Sequence, residues 1–144
     1  MKSTAILELM VQDHAKLIKF LSVVEKNLKE NSDETMSSFN TFEWNLEKHF
    51  FVEERAIFTW YNPEFVDEGY KLFLDLTKQH TVILEKLRLL KKDLQNNKTP
   101  DFTDFKNMLM KHKNYEEKNV YPTLDQQIDE GEKFFIIERI NEII

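Results

Sequence analysis

Apolar residues recur at three- and four-residue intervals through four long stretches of this chain, and that spacing limits the fold more than any other feature. Leu7, Met10, Val11, Leu17, Ile18, Leu21, Val24 and Leu28 form the first stripe, predicting a helix from Ser3 to Leu28. Phe39, Phe42, Leu46, Phe50, Ile57 and Trp60 form the second, and Phe73, Leu76, Ile83, Leu84, Leu87, Leu90 and Leu94 the third, which should end near Gln95. The fourth runs through Phe102, Phe105, Met108, Leu109, Val120 and Leu124. Only two Gly and three Pro punctuate 144 residues, too few for the frequent turns of an all-β chain. The expectation is an all-α protein.

The interruptions between stripes are short. Ser32 and Asp33 in KENSDE are candidate caps for the second helix, Asn62-Pro63 marks the next turn, and Thr99 with Pro100 should open the fourth helix. Pro122 should kink or end that helix. Beyond Gly131, FFIIERINEII reads as a fifth helix over about 132–143, more apolar than a free tail. It is expected to pack on the bundle or on a second subunit, which would make a homo-oligomer. Short connections between long helices require antiparallel neighbours. The predicted architecture is therefore an up-down-up-down four-helix bundle over about 3–128 with a short C-terminal fifth helix, in a single domain spanning 1–144.

Composition removes several classes of function. The chain has no Cys, so disulfides, thiolate zinc sites, iron–sulfur clusters and cysteine nucleophiles are all excluded, and any metal must use nitrogen and oxygen. A net charge of -6 argues against nucleic acid and anionic membrane as partners. No apolar run reaches the ~18 residues of a membrane span, and charge interrupts the amino-terminal segment before a signal-peptide core could form, so a cytoplasmic location is expected.

The four histidines are the polar residues that need explaining. His14, His49, His80 and His112 fall one to each helix, all on the apolar stripes. If a stripe covers about three-sevenths of a helix, four independent placements there have a probability of roughly 0.03. Glu53 and Glu116 lie four residues after His49 and His112, one turn away on the same inward faces. Buried carboxylates and imidazoles are costly without partners, so the six residues call for a common explanation. In an antiparallel hairpin, residues equidistant from the turn lie level. The midpoints of His14/His49, His49/His80 and His80/His112 all fall in predicted loops, so the four imidazoles should share one layer.

The chain also repeats itself. HFFVEERAIF from His49 aligns with HKNYEEKNVY from His112, and DHAKLIKFL around His14 resembles QHTVILEKL around His80. Two similar hairpins imply a pseudo-twofold site. A two-metal centre fits that symmetry, with two imidazoles per ion and both carboxylates bridging, leaving room for a solvent-derived bridge and one exogenous ligand.

One His in helix 1, HxxxEE in helix 2, one His in helix 3 and HxxxEE before a Tyr-Pro in helix 4 resemble the hemerythrin-like, or HHE cation-binding, domain from Ala5 to Leu124. The resemblance implies two iron ions with an oxo or hydroxo bridge, bound by His14, His49, Glu53, His80, His112 and Glu116. It implies dioxygen or another small diatomic molecule such as nitric oxide as ligand. Oxygen-carrying hemerythrins have HxxxH in helix 3 and HxxxxD in helix 4, whereas Leu76 and Leu84 stand four residues either side of His80 here. The set looks more like that of relatives tied to iron sensing, nitric oxide response and iron-centre repair. A binding or sensing protein is expected first, and a di-iron redox enzyme of peroxidase, oxidase or nitric oxide reductase type is the alternative. A metal-free bundle relaying phosphate through one histidine would need an exposed histidine. Glu54 and Glu117 are read as solvated, and Tyr115 as a packing residue.

Overall fold

The computed structural model describes residues 2–58 and 67–144, with side chains from 73 onward in the second stretch. The described residues are helical with short connections and contain no strand. Helix α1 spans Ala5–Lys29, α2 Thr35–Val52, α3 Asp67–Gln95, α4 Thr103–Tyr115, α5 Tyr121–Gln127 and α6 Glu130–Ile143. Two single π turns, Glu53–Ile57 and Glu116–Val120, follow α2 and α4. Trp60 and the Asn62-Pro63 turn lie outside the described residues. No described helix is long and apolar enough to cross a membrane.

Helix α1 packs along α2, α2 against α3, and α3 against α4, while α5 and α6 both return to α1. Their apolar stripes form two clusters rather than one. One holds Leu17, Leu21, Phe39, Phe42, Phe105 and their neighbours; the other holds Ile6, Met10, Ile57, Leu76, Leu124, Ile136 and theirs.

The turns after α1 and α3 use the same device. Asn31 and Asn97 take positive φ of 50° and 59°, the left-handed conformation that ends many helices and that asparagine tolerates better than most residues. In each turn the next residue's N–H reaches back five positions, Ser32 to the Asn27 carbonyl and Lys98 to the Asp93 carbonyl, both at 2.9 Å. Asparagine thus does here what glycine does elsewhere.

Three local expectations need correcting. Helix α2 starts at Thr35, and Ser32 shapes the turn before it, its Oγ accepting from the Glu34 N–H at 3.1 Å and its carbonyl accepting from the Thr35 hydroxyl. Asp33 provides no cap to α2, whose start has no side-chain capping bond. Helix α4 starts at Thr103 rather than at Pro100, because Asp101 rather than Thr99 supplies the local acceptor, taking the Thr103 N–H at 2.9 Å and its hydroxyl at 2.6 Å. Departure from α geometry before Pro122 begins at Glu116, where the π turn opens, and Pro122 then sits in the first turn of α5, where its missing N–H costs little.

Helix α6 is anchored within its own chain. Ile136 and Ile140 are buried in the second apolar cluster, and the Lys133 ammonium, 1% exposed, donates to the carbonyls of Ser3 and Asp125 at 2.9 Å. Asp125 in turn caps α1, accepting from the N–H groups of Ile6 and Leu7 at 3.0 and 2.9 Å. Phe134 and Phe135 of the same helix are exposed.

Candidate metal centre

The six polar residues lie in one layer between the two apolar clusters, each buried to 5% exposure or less. Each helical hairpin contributes a facing pair of imidazoles. The Nε2 atoms of His14 and His49 are 3.1 Å apart, and those of His80 and His112 are 3.2 Å apart. Between the pairs stand the two carboxylates. Glu53 Oε1 is 2.8 Å from His49 Nε2 and 3.6 Å from His80 Nε2, while Glu116 Oε1 is 3.3 Å from His112 Nε2 and 3.4 Å from His14 Nε2. Each glutamate therefore reaches one histidine of either hairpin.

The outward Nδ1 atoms of three histidines have partners that fix the rings, whereas His80 Nδ1 has no hydrogen-bond partner among the described residues. His49 Nδ1 donates to Asp13 at 2.6 Å, His14 Nδ1 to Glu117 at 2.7 Å, and His112 Nδ1 to the Gln79 amide oxygen at 2.7 Å. With the proton on Nδ1, a neutral imidazole turns its Nε2 lone pair inward, the tautomer a metal ligand needs. His80 is held differently: Phe50 stacks on its ring with centroids 3.9 Å apart, and Glu54 stays 3.7 Å from its Nδ1. The expectation that Glu117 is a solvated residue is overturned, because it orients His14. Asp13 and Gln79 were missed. Their signal was position, each preceding a histidine in the repeated D/Q-His motif.

Tyr121 was also missed as a site residue, and Tyr115, 41% exposed, stands away from the cluster. The buried Tyr121 hydroxyl donates to Glu53 Oε2 at 2.9 Å and lies 3.4 Å from His14 Nε2. The π turn brings it there, since its own N–H bonds the Glu116 carbonyl five residues back. The matching residue of the other hairpin is Phe58, which has no hydroxyl. Accordingly, among the described residues Glu116 Oε1 and Oε2 both lack any hydrogen-bond partner, whereas only one oxygen of Glu53 does.

These orphaned atoms are the strongest sign of what the layer is built for. Buried carboxylate oxygens without donors are costly in a folded protein. Glu53 Oε1 stands 2.8 Å from an imidazole nitrogen yet has no hydrogen-bond partner among the described residues. Electrostatics in the metal-free protein show the same strain. Burial opposes charge on His49, but the facing carboxylates of Glu53 and Asp13 push it up to about 9. Burial also opposes charge on Glu53, yet the His49 cation holds it well below the usual carboxylate range. Burial, then the Glu53 charge beside it, pushes Glu116 well above that range. Burial pulls His14 and His112 down to about 4.

Two sets of four donors result: His14, His49, Glu53 and Glu116, and Glu53, His80, His112 and Glu116, with the donor atoms of each set within 4.8 Å of one another. Each offers two imidazole nitrogens and two carboxylate oxygens, and both glutamates belong to both. A helical protein with such a layer has a site compatible with metal ions. The sequence matches the family model of the hemerythrin HHE cation-binding domain across residues 5–124, and the chain belongs to that family, whose members bind metal ions, typically iron. Comparisons with curated proteins and with solved structures returned no match.

Proposed function

We propose that this chain is a non-haem di-iron protein that binds or senses dioxygen, nitric oxide or iron, built as one domain on an up-down-up-down four-helix bundle. The observation that carries the reading is the pair of overlapping donor sets, in which His14 and His49 would hold one ion, His80 and His112 the other, and Glu53 and Glu116 both. The fit is chemical as well as geometric: the carboxylate oxygens left without donors are those a cation would satisfy. Two irons with a solvent-derived bridge would supply an open coordination position and reversible one-electron chemistry.

The surrounding residues set what can reach that position. A cavity of about 10 Å³ borders the cluster, walled by Leu17, Phe50 and Leu109 among others. Four of the proposed ligands, His14, His49, His112 and Glu116, line it as well, and the dry apolar walls favour a small neutral ligand. On the neutral rings of His49, His14 and His112, the acceptors Asp13, Glu117 and Gln79 favour the ligating tautomer. Tyr121, whose hydroxyl burial keeps protonated, gives Glu53 a fixed donor.

Metal analysis of the purified protein, with optical spectra recorded after anaerobic reduction and again after exposure to air, tests the reading. About two irons per chain and a spectrum that reverses on removing oxygen are expected of a binder or sensor. Sustained consumption of peroxide or nitric oxide with a reductant would instead make the chain a redox enzyme. Failure to retain metal after reconstitution with ferrous iron would overturn the di-iron assignment.

A further inference from the structure

The pseudo-twofold relation between the hairpins breaks at one informative place. Asp13 and Gln79 occupy matching positions, and each accepts from the Nδ1 of a histidine on the next helix. Asp13 brings a negative charge to its side of the layer, whereas Gln79 is neutral and carries an amide nitrogen besides. Because the amide oxygen is taken by His112, that nitrogen is left to donate outward, and it has no partner among the described residues.

A groove opens at this place. Between α3 and α4 lies a cavity of about 420 Å³, floored by Val82, Ile83 and Met108 and ending at Tyr115. From Met108 to Tyr115 the floor follows two helical turns, ~10 Å. Its size falls in the range of small-molecule sites. Lys78 and Lys111 stand on its walls, and neither ammonium is paired with a carboxylate among the described residues. The groove thus presents an apolar floor, a thioether and a phenol ring, two free cations and one free amide donor, with no carboxylate among the described residues that line it. In a chain of net charge -6 this is a local reversal of sign.

We propose that the groove binds an aromatic carboxylate, whose ring lies on Val82 and Met108 beside Tyr115 and whose carboxylate accepts from Lys78, Lys111 and the Gln79 amide. Sulfur and aromatic faces favour a ring over a plain alkyl chain, and two cations with an amide donor favour an anion. The bound carboxylate would touch Gln79, one hydrogen bond from His112. The site itself is independent of the proposed metal reading, since none of its contacts requires an ion.

Binding of 2-naphthoate to the full chain, measured by calorimetry with and without reconstituted iron, tests the proposal. One saturable site per chain is expected in both preparations, with the neutral 2-naphthamide binding ~tenfold more weakly. Joint replacement Lys78→Ala and Lys111→Ala should remove that ~tenfold preference while leaving the amide's affinity unchanged. Val82→Glu, at an exposed position, should abolish naphthoate binding with circular dichroism unaltered. Equal affinity for acid and amide, octanoate binding as tightly as naphthoate, or no saturable site would each overturn the proposal. Should the double lysine variant fail to fold, the acid–amide comparison in the unaltered chain decides. Loss of iron with naphthoate binding intact would sink only the di-iron reading.

Discussion

At the scale of single residues, the centre depends on who holds which proton. His49 is pushed up to about 9, so the metal-free protein keeps it protonated at neutral pH, and burial beside the Glu53 charge pushes Glu116 toward its neutral form. A cation needs both groups bare. Metal uptake at pH 7 is therefore expected to release protons into a weakly buffered solution, and metal affinity to rise with pH until about 9, where His49 loses its proton unaided. Affinity that is flat between pH 6 and 9 would contradict this. His49→Ala and Glu53→Ala should each cut metal content sharply, because each removes a donor from one or both sets, while helicity stays intact. Tyr121→Phe should leave the metal count unchanged but cost roughly 1–3 kcal/mol of stability in chemical denaturation, since Glu53 Oε2 loses its buried donor.

At the scale of elements, the contacts that hold α6 lie at the end of the molecule where α1 begins. Lys133 neutralises Asp125 at 3.4 Å and satisfies carbonyls of the amino-terminal segment and α5, and Asp125 caps α1. Removing one member of a buried ion pair leaves the other charge unpaired, typically at a cost of ~3–5 kcal/mol. Lys133→Met is expected to lower stability by roughly that amount without changing metal stoichiometry, as measured by urea unfolding beside metal analysis. An unchanged midpoint would mean that α6 is held by Ile136 and Ile140 alone. The two π turns act at the same scale. Each opens at a glutamate of the layer and brings the residue five positions on into register above it, Phe58 in one hairpin and Tyr121 in the other.

For the whole molecule, a polar layer between two apolar clusters makes stability depend on pH and on metal. His14 and His112 are held near 4, below their unfolded value, so the unfolded chain binds more protons between about 4 and 6.5. The stability they contribute is present above pH 6.5 and is lost as pH falls through 4, on the order of a few kcal/mol. His49 has the opposite sign: its contribution is present below 6.5 and fades as pH rises through about 9. The metal-free protein should thus lose melting temperature on acidification from pH 6.5 to 4 in a calorimetric series. Removing metal at pH 7 should also lower the melting temperature, because an ion held at 100 times its Kd stabilises by ~2.7 kcal/mol.

Periodicity and the placement of six residues were enough to indicate an all-helical chain and a layer of imidazoles with two carboxylates, because helical spacing and hairpin levels are properties of position alone. His14, His49, His80 and His112 could be set at one height before any contact was known. Sequence could not say what turns each ring. Asp13, Gln79 and Glu117 act across helices, and only the packing of α1 on α2, of α3 on α4 and of α1 on the second π turn brings them to their histidines. Tyr121 depended on the π turn, whose extra residue leaves no mark in apolar spacing. The turn asparagines and Asp101 were equally hidden, since several neighbouring residues could have served and local geometry chose among them. The sequence by itself determined the helical class and the inward donors, through period and repeat. Tertiary structure alone decided how those donors are oriented, which carboxylate has a partner, and where the α3–α4 groove opens, because these follow from distances between helices that no single helix encodes.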